Sequence, residues 1–184
     1  MEKSLEVYIS GEEINNRVRE LAVQIGDDYQ KKRPVLVCIL KGAVIFLGDL
    51  IRKLTLPLEI DFMAVSSYGQ STSSSGVVRI IKDLDRNIGG RDVLIVEDIV
   101  DTGLTLNYLY ENLLQRRPGS LKVVTLLDKP ERRKIDFKPD YLGFTIPDHF
   151  VVGYGLDFNE YYRHLPDICI LTGPRPVQEQ IETP

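Results

Sequence analysis

The segment VLIVEDIVDTGLTL, Val93 to Leu106, limits what this chain can fold into more than any other stretch. Four apolar residues, Val93 to Val96, make a run of the kind that forms a strand buried on both faces, and two adjacent carboxylates, Glu97 and Asp98, stand at its exit. Asp101-Thr102-Gly103-Leu104-Thr105 then opens a helical pattern. Short hydroxyl residues and a glycine at that point let backbone amides and the helix N-terminus surround an anion. Thr102 and Thr105 add hydroxyl donors, and Gly103 lets the backbone come close. Two acids beside an anion site make sense when the ligand also carries hydroxyls. Carboxylates accept hydrogen bonds from vicinal hydroxyls, and a magnesium ion screens the remaining repulsion. The segment is therefore expected to hold a ribose bearing a phosphate ester. A plain helix start capped by Asp101 or Thr102 leaves the Glu97-Asp98 pair unexplained. A Walker B strand needs a G-x-x-x-x-G-K-[ST] loop elsewhere, and the 184 residues contain none. Gly153-Tyr154-Gly155 lacks the third glycine of a dinucleotide fingerprint.

The rest of the chain supplies the frame. Ser10 with Glu13 forms a capping box before Ile14, Val18, Leu21 and Ile25, which predicts an amphipathic helix over 11–31. Pro34 introduces the apolar run VLVCIL, Lys41-Gly42 breaks it, and AVIFLGDLIRKL resumes a helical pattern. LEIDFMAVSSY, VVRIIKDL, SLKVVTLLD, YLGFTIP, HFVVGYG and DICIL are further strand candidates, and LNYLYENLLQRR is helical. Asn87 to Gly90 reads as a turn. Strands alternating with helices give an α/β domain around a mostly parallel sheet, where ligands bind beyond the carboxyl ends of the strands. No repeat or domain linker interrupts residues 1–184. The small, polar stretch 69–76, between two strand-like runs, is expected to be a mobile loop over a site at least as much as a linker.

Composition sets bounds. The net charge of -4 argues against a protein that coats nucleic acid. Arg116-Arg117 and Glu131-Arg132-Arg133-Lys134 are the obvious basic clusters, and solvated faces explain them most cheaply. Cys38 and Cys169 lie in apolar runs and are expected to be buried and reduced. Two cysteines and two histidines offer no zinc spacing. With no signal-peptide-like start and no membrane-length apolar run, a soluble, cytoplasmic protein is expected.

An apolar strand, Glu-Asp, two residues, then Asp-Thr-Gly-x-Thr closely resembles the phosphoribosyl diphosphate signature of the type I phosphoribosyltransferases. Four other segments are similar to the hypoxanthine-guanine (6-oxopurine) subgroup. Leu40-Lys41-Gly42 resembles its pyrophosphate-binding turn, and Ser67-Tyr68 with the polar stretch resembles its mobile catalytic loop over 67–79. Asp128-Lys129-Pro130 looks like its purine-reading segment. PDHFVVGYGLDFNEYYRHLP, Pro147 to Pro166, looks like its base- and metal-binding segment. The resemblance runs to about Leu171, leaving a tail, 172–184, of no assigned role. It implies the type I fold, a mostly parallel twisted sheet flanked by helices with a small hood around the base pocket.

It also implies roles. Glu97, Asp98, Asp101, Thr102, Gly103, Leu104 and Thr105 would bind ribose and phosphate. Lys41, Gly42 and Arg163 would bind pyrophosphate. Lys129 would donate to the purine 6-oxygen, Phe150 would stack on the ring, and Val151 would meet its edge. Ile99 and Leu156 would wall the pocket. Asp157, with Glu97 and Asp98, would hold magnesium, and Asp101 would act as general acid or base at purine N7. Each residue has a plainer reading: an exposed lysine, a core aromatic, solvated loop charges. The implied partners are phosphoribosyl diphosphate and a 6-oxopurine, with no nucleic acid or membrane, in a homodimer or homotetramer. Rivals are the same fold acting on xanthine, and a nucleotide-responsive RNA-binding regulator. Leu104 stands where the family often has lysine, and His149 where a longer basic residue is frequent.

Overall fold

The computed structural model describes residues 4–67 and 78–172. The chain runs β1 (Ser4–Ile9), α1 (Gly11–Asp28), β2 (Val35–Leu40), α2 (Val44–Ile51), β3 (Glu59–Ser67) and β4 (Val78–Lys82). It continues β5 (Asp92–Val100), α3 (Leu104–Leu114), β6 (Ser120–Asp128), β7 (Tyr141–Thr145), β8 (Val151–Val152) and β9 (Ile168–Thr172). Six strands form one sheet in the order β4-β3-β2-β5-β6-β7. All neighbours in it are parallel except β3 and β4. A separate antiparallel sheet, β1-β9-β8, makes a small second layer.

Alternation along the strands explains how both faces are covered. In β2, Leu36 and Cys38 face α1 and α2, packing with Ile14, Leu21, Phe46 and Leu50. Val35, Val37 and Ile39 face the other way, with Leu106, Leu109 and Leu113 of α3. Burying each such side chain contributes about 1.5–3 kcal/mol, which makes these two cores the main support of the sheet. Both cysteines are buried and free, as expected.

Local signals set the helix starts but not their ends. The Ser10–Glu13 capping box forms in full. α1 stops at Asp28 rather than 31, because Tyr29 turns into the core and Lys31 takes a left-handed φ of 63° before Pro34. α2 also ends early, at Ile51, where Lys53 and Leu54 both donate to the Leu50 carbonyl. The largest correction concerns β5. It does not end at Val96 but continues to Val100, because Ile99 and Val100 still pair with Leu127 and Asp128. Glu97 and Asp98 therefore lie inside a strand, not at its exit. β1, which no local pattern marks, is a strand only through pairing with β9, Ser4 against Thr172.

Candidate active site

Beyond the carboxyl ends of β2, β5 and β6, three short segments converge. The first is the β5–α3 loop. Its cavity of about 180 Å³ is lined by Glu97, Val100, Asp101, Thr102, Gly103 and Thr105. Gly103 is the N-cap of α3 with φ 81°, a left-handed conformation that glycine adopts at little cost. Neither Asp101 nor Thr102 is the N-cap residue, since Gly103 holds that position, although Thr102 Oγ1 accepts from the Leu104 amide at 3.4 Å. The first-turn amides lack intrahelical partners, as at any helix start, and this turn borders the cavity. Leu104 begins the helix but does not line the cavity.

Glu97 and Asp98 are held in unfavourable surroundings for charge. Burial raises the Glu97 carboxyl well above the ordinary range, and the neighbouring Asp98 adds to the rise. Its Oε2 is out of solvent and accepts no hydrogen bond. Burial also raises Asp98, against the opposing effect of its hydrogen bond from the Ile99 amide at 2.7 Å.

The second segment carries Lys129. Its backbone amide donates to Val100 O at 2.9 Å, which fixes the residue beside the β5 exit. The plainer reading, an exposed lysine, fails: Lys129 is 6% exposed. Desolvation lowers its pKa, and Nζ donates to the His149 carbonyl at 2.5 Å. A lysine has three donors, so this bond leaves capacity for a ligand. Asp101 lies on the same side, with Arg132 Nε 2.8 Å from its Oδ1. Arg132 also meets Asp148 at 3.2 Å. Arg133 donates to the Asp101 carbonyl at 3.0 Å and closely to Asp128. Phe150 is 47% exposed and not a core aromatic; it packs edge-on to Phe158 with centroids 5.7 Å apart. Val151 and Leu156 are buried in the core, and Ile99 packs partly buried against it.

The third segment joins the turn after β2 to the loop after β8. A Cβ on Gly42 would lie 1.6 Å from Asp98 Oδ2, and one on Gly155 would lie 2.0 Å from Gly42 O. Only glycines permit this approach. Lys41 Nζ stands 2.8 Å from Glu160 Oε2. Arg163 Nη2 lies 2.9 Å from Asp157 Oδ1, and Nη1 donates to Gly155 O at 2.8 Å.

The described sequence-predicted residues thus meet at one sheet edge. Ser67 ends β3, and Tyr68 with most of the 67–79 loop lies outside the described residues, as does the tail from 173. Arg132 is solvated as expected, with its side chain 43% exposed, whereas Arg133, at 14%, is not on a solvated face. They bind Asp101, Asp148 and Asp128 because all five groups crowd the same edge. Glu160 was also missed. Of the Arg116-Arg117 cluster, Arg116 is answered within the protein by Asp83 at 2.8 Å.

Among the described residues no group of three or more histidines, cysteines or acids is placed to hold a metal by itself. The orphaned Glu97 Oε2 and the carboxylates of Asp98 and Asp157, taken singly, are hard oxygen donors of the kind a magnesium ion accepts. Such an ion takes one or two protein carboxylates and completes its shell with phosphate oxygens and water.

Residues 10–159 match the family model of the phosphoribosyl transferase domain. The hypoxanthine-guanine phosphoribosyltransferase of Bacillus subtilis is 56% identical over 165 residues, covering 90% of this chain and 92% of its own. That of Mycobacterium avium is 55% identical, covering 94% and 88%. A solved structure of the hypoxanthine phosphoribosyltransferase from Staphylococcus aureus superposes with a TM-score of 0.88 at 53% identity, covering 91% of both chains.

Proposed function

The chain belongs to the phosphoribosyltransferase family, and on that premise we propose that it joins hypoxanthine, and also guanine, to phosphoribosyl diphosphate. The products are IMP or GMP and pyrophosphate, the chemistry of purine salvage. What supports this reading above all is the meeting of a buried cation, Lys129, with the hydroxyl-lined cavity of Glu97 to Thr105 at one strand edge. A desolvated lysine held against Val100 suits an uncharged acceptor such as a purine 6-oxygen, since a hydrogen bond to a charged donor is worth about 1.5–3 kcal/mol.

Each residue then has a task. Thr102, Gly103 and Thr105, with the Leu104 amide, hold the 5-phosphate, and Glu97 and Asp98 accept from the ribose hydroxyls. Phe150 stacks on the base, Val151 meets its edge through the backbone, and Ile99 and Leu156 close the apolar side. A purine nitrogen attacks the anomeric carbon as the bond to pyrophosphate breaks, spreading positive charge over the ribose. Asp101 exchanges the proton at purine N7, and Arg132 holds that carboxylate in place. Lys41, the Gly42 amide and Arg163 receive the departing pyrophosphate. Asp157, Glu97 and Asp98 are the donors for magnesium, which when bound neutralises charge on that leaving group. The Ser67-Tyr68 loop keeps water from the reactive sugar. The enzyme works in the cytoplasm as a homodimer or homotetramer, and no described helix is long and apolar enough to cross a membrane.

Initial rates with phosphoribosyl diphosphate, magnesium and each of hypoxanthine, guanine, xanthine and adenine test the proposal. Turnover is expected with the first two. Its absence with both would overturn the reading, and a preference for xanthine would redirect it.

A further inference from the structure

Glu160 spans two cations that the proposed function assigns to pyrophosphate. Its Oε2 is 2.8 Å from Lys41 Nζ, and its Oε1 is 3.4 Å from Arg163 Nη2. Resting on that assignment, we propose that Glu160 is a counter-ion latch. Its carboxylate pairs with Lys41 and, beside Asp157, with Arg163 between turnovers and is displaced by the pyrophosphate of the incoming donor.

The backbone supplies a second, independent observation. Phe158 and Tyr161 exchange both hydrogen bonds of an antiparallel bridge, at 3.1 and 3.0 Å, around the two-residue turn Asn159-Glu160. Both central residues are left-handed, with φ of 50° and 67°. This kind of turn favours asparagine first and glycine second. Asparagine is where it belongs, but a glutamate occupies the glycine position. Asp157 Oδ2 accepts from the Glu160 amide at 2.8 Å and steadies the turn. A charged side chain held at a backbone position that suits glycine is the sort of local outlier that accompanies function.

Magnitude decides whether such a latch opens. The Lys41 and Glu160 side chains are 68% and 65% exposed. Solvent-exposed ion pairs are weak, so a single carboxylate yields readily to a ligand with several negative charges. The same weakness lets Glu160 recapture the cations as pyrophosphate departs. Lys41 lies in the turn after β2 and Glu160 in the loop after β8, so closing the latch also ties those two segments together.

Calorimetric titration of inorganic pyrophosphate, with magnesium, into wild type, Glu160→Gln and Glu160→Gly tests the latch. Glutamine keeps the shape and removes the charge; glycine removes the side chain and suits the left-handed backbone. Both variants should bind pyrophosphate more tightly, by roughly twofold to tenfold as two exposed ion pairs allow. The gain should shrink as salt rises, and KM for phosphoribosyl diphosphate should fall with it while IMP affinity stays unchanged. Unchanged or weaker pyrophosphate binding in both variants would overturn the latch. Tightening in the glycine variant alone would assign the effect to the backbone and overturn it as well. Failure of the wild type itself to bind pyrophosphate would instead remove the assignment on which the latch rests.

Discussion

The two ends of the six-stranded sheet treat charge differently. At the amino ends, charged side chains are answered within the protein. Asp28 accepts from Lys122 at 2.7 Å and from Tyr141 at 2.5 Å. Glu59 pairs with Arg91 at 2.8 Å and Arg86 at 3.0 Å, and Asp92 accepts from Ser120 at 2.5 Å. At the carboxyl ends, Glu97 Oε2 and Arg163 Nε are buried without hydrogen bonds, and Lys129 is desolvated. Tyr29 Oη is the amino-end counterpart, a single neutral hydroxyl. Unanswered buried polar groups cost about 1–3 kcal/mol each, so the carboxyl edge is kept at the expense of stability. One end holds the fold together, and the other is shaped for something that arrives.

That contrast can be broken by substitution. The largest effect is expected from Asp101→Asn, which should lower kcat by roughly 10²–10⁴ with little change in melting temperature, since Asp101 does not cap α3 and its ion pair with Arg132 is solvent-exposed. Steady-state rates beside a thermal scan read both. A stability loss with full turnover would make Asp101 structural. Next is Lys129→Met, which leaves the His149 carbonyl without its donor and the base without its lysine. kcat/KM for hypoxanthine should drop about tenfold to a hundredfold, mainly through KM, with little change for phosphoribosyl diphosphate.

Gly42→Ala comes third. Its Cβ would collide with Asp98, so the turn must shift, at a stability cost of about 1–3 kcal/mol measurable by denaturant titration, with weaker pyrophosphate binding. Smallest is Asp28→Asn at the amino end. Screening limits its loss to about 0.5–1 kcal/mol at neutral pH, and turnover should stay at the wild-type level. The hydrogen bonds from Lys122 and then Tyr141 hold Asp28 below its ordinary 3.8. Its contribution is therefore present above that pH and lost as pH falls through the lowered value, so variant and wild type should converge in acid.

The same contrast separates what is legible in the sequence from what is not. The capping box, the apolar runs of β2 and β5, and Asp-Thr-Gly-Leu-Thr are local signals, and local physics acts on them directly. The extension of β5 to Val100 depends on pairing with β6, and β1 depends on a partner more than 160 residues away. Neither leaves a local mark. Arg132 and Arg133 look like any surface cations until the fold sets Asp101, Asp128 and Asp148 beside them. Lys129 reads as exposed until the strand ends close around it. Side-chain chemistry was legible; burial and pairing, which decide how it acts, come from distant segments.

The unanswered groups at the carboxyl edge are held to belong to a ribose phosphate that completes them, and a ligand-dependent melting curve measures this directly. Magnesium phosphoribosyl diphosphate at a hundred times its Kd should stabilise the wild type by about 2.7 kcal/mol, raising Tm by about 5–10 °C. Asp28→Asn should show the same rise from a lower start. No shift in the wild type at saturating concentrations would contradict the assignment of Val93 to Leu106 as the site.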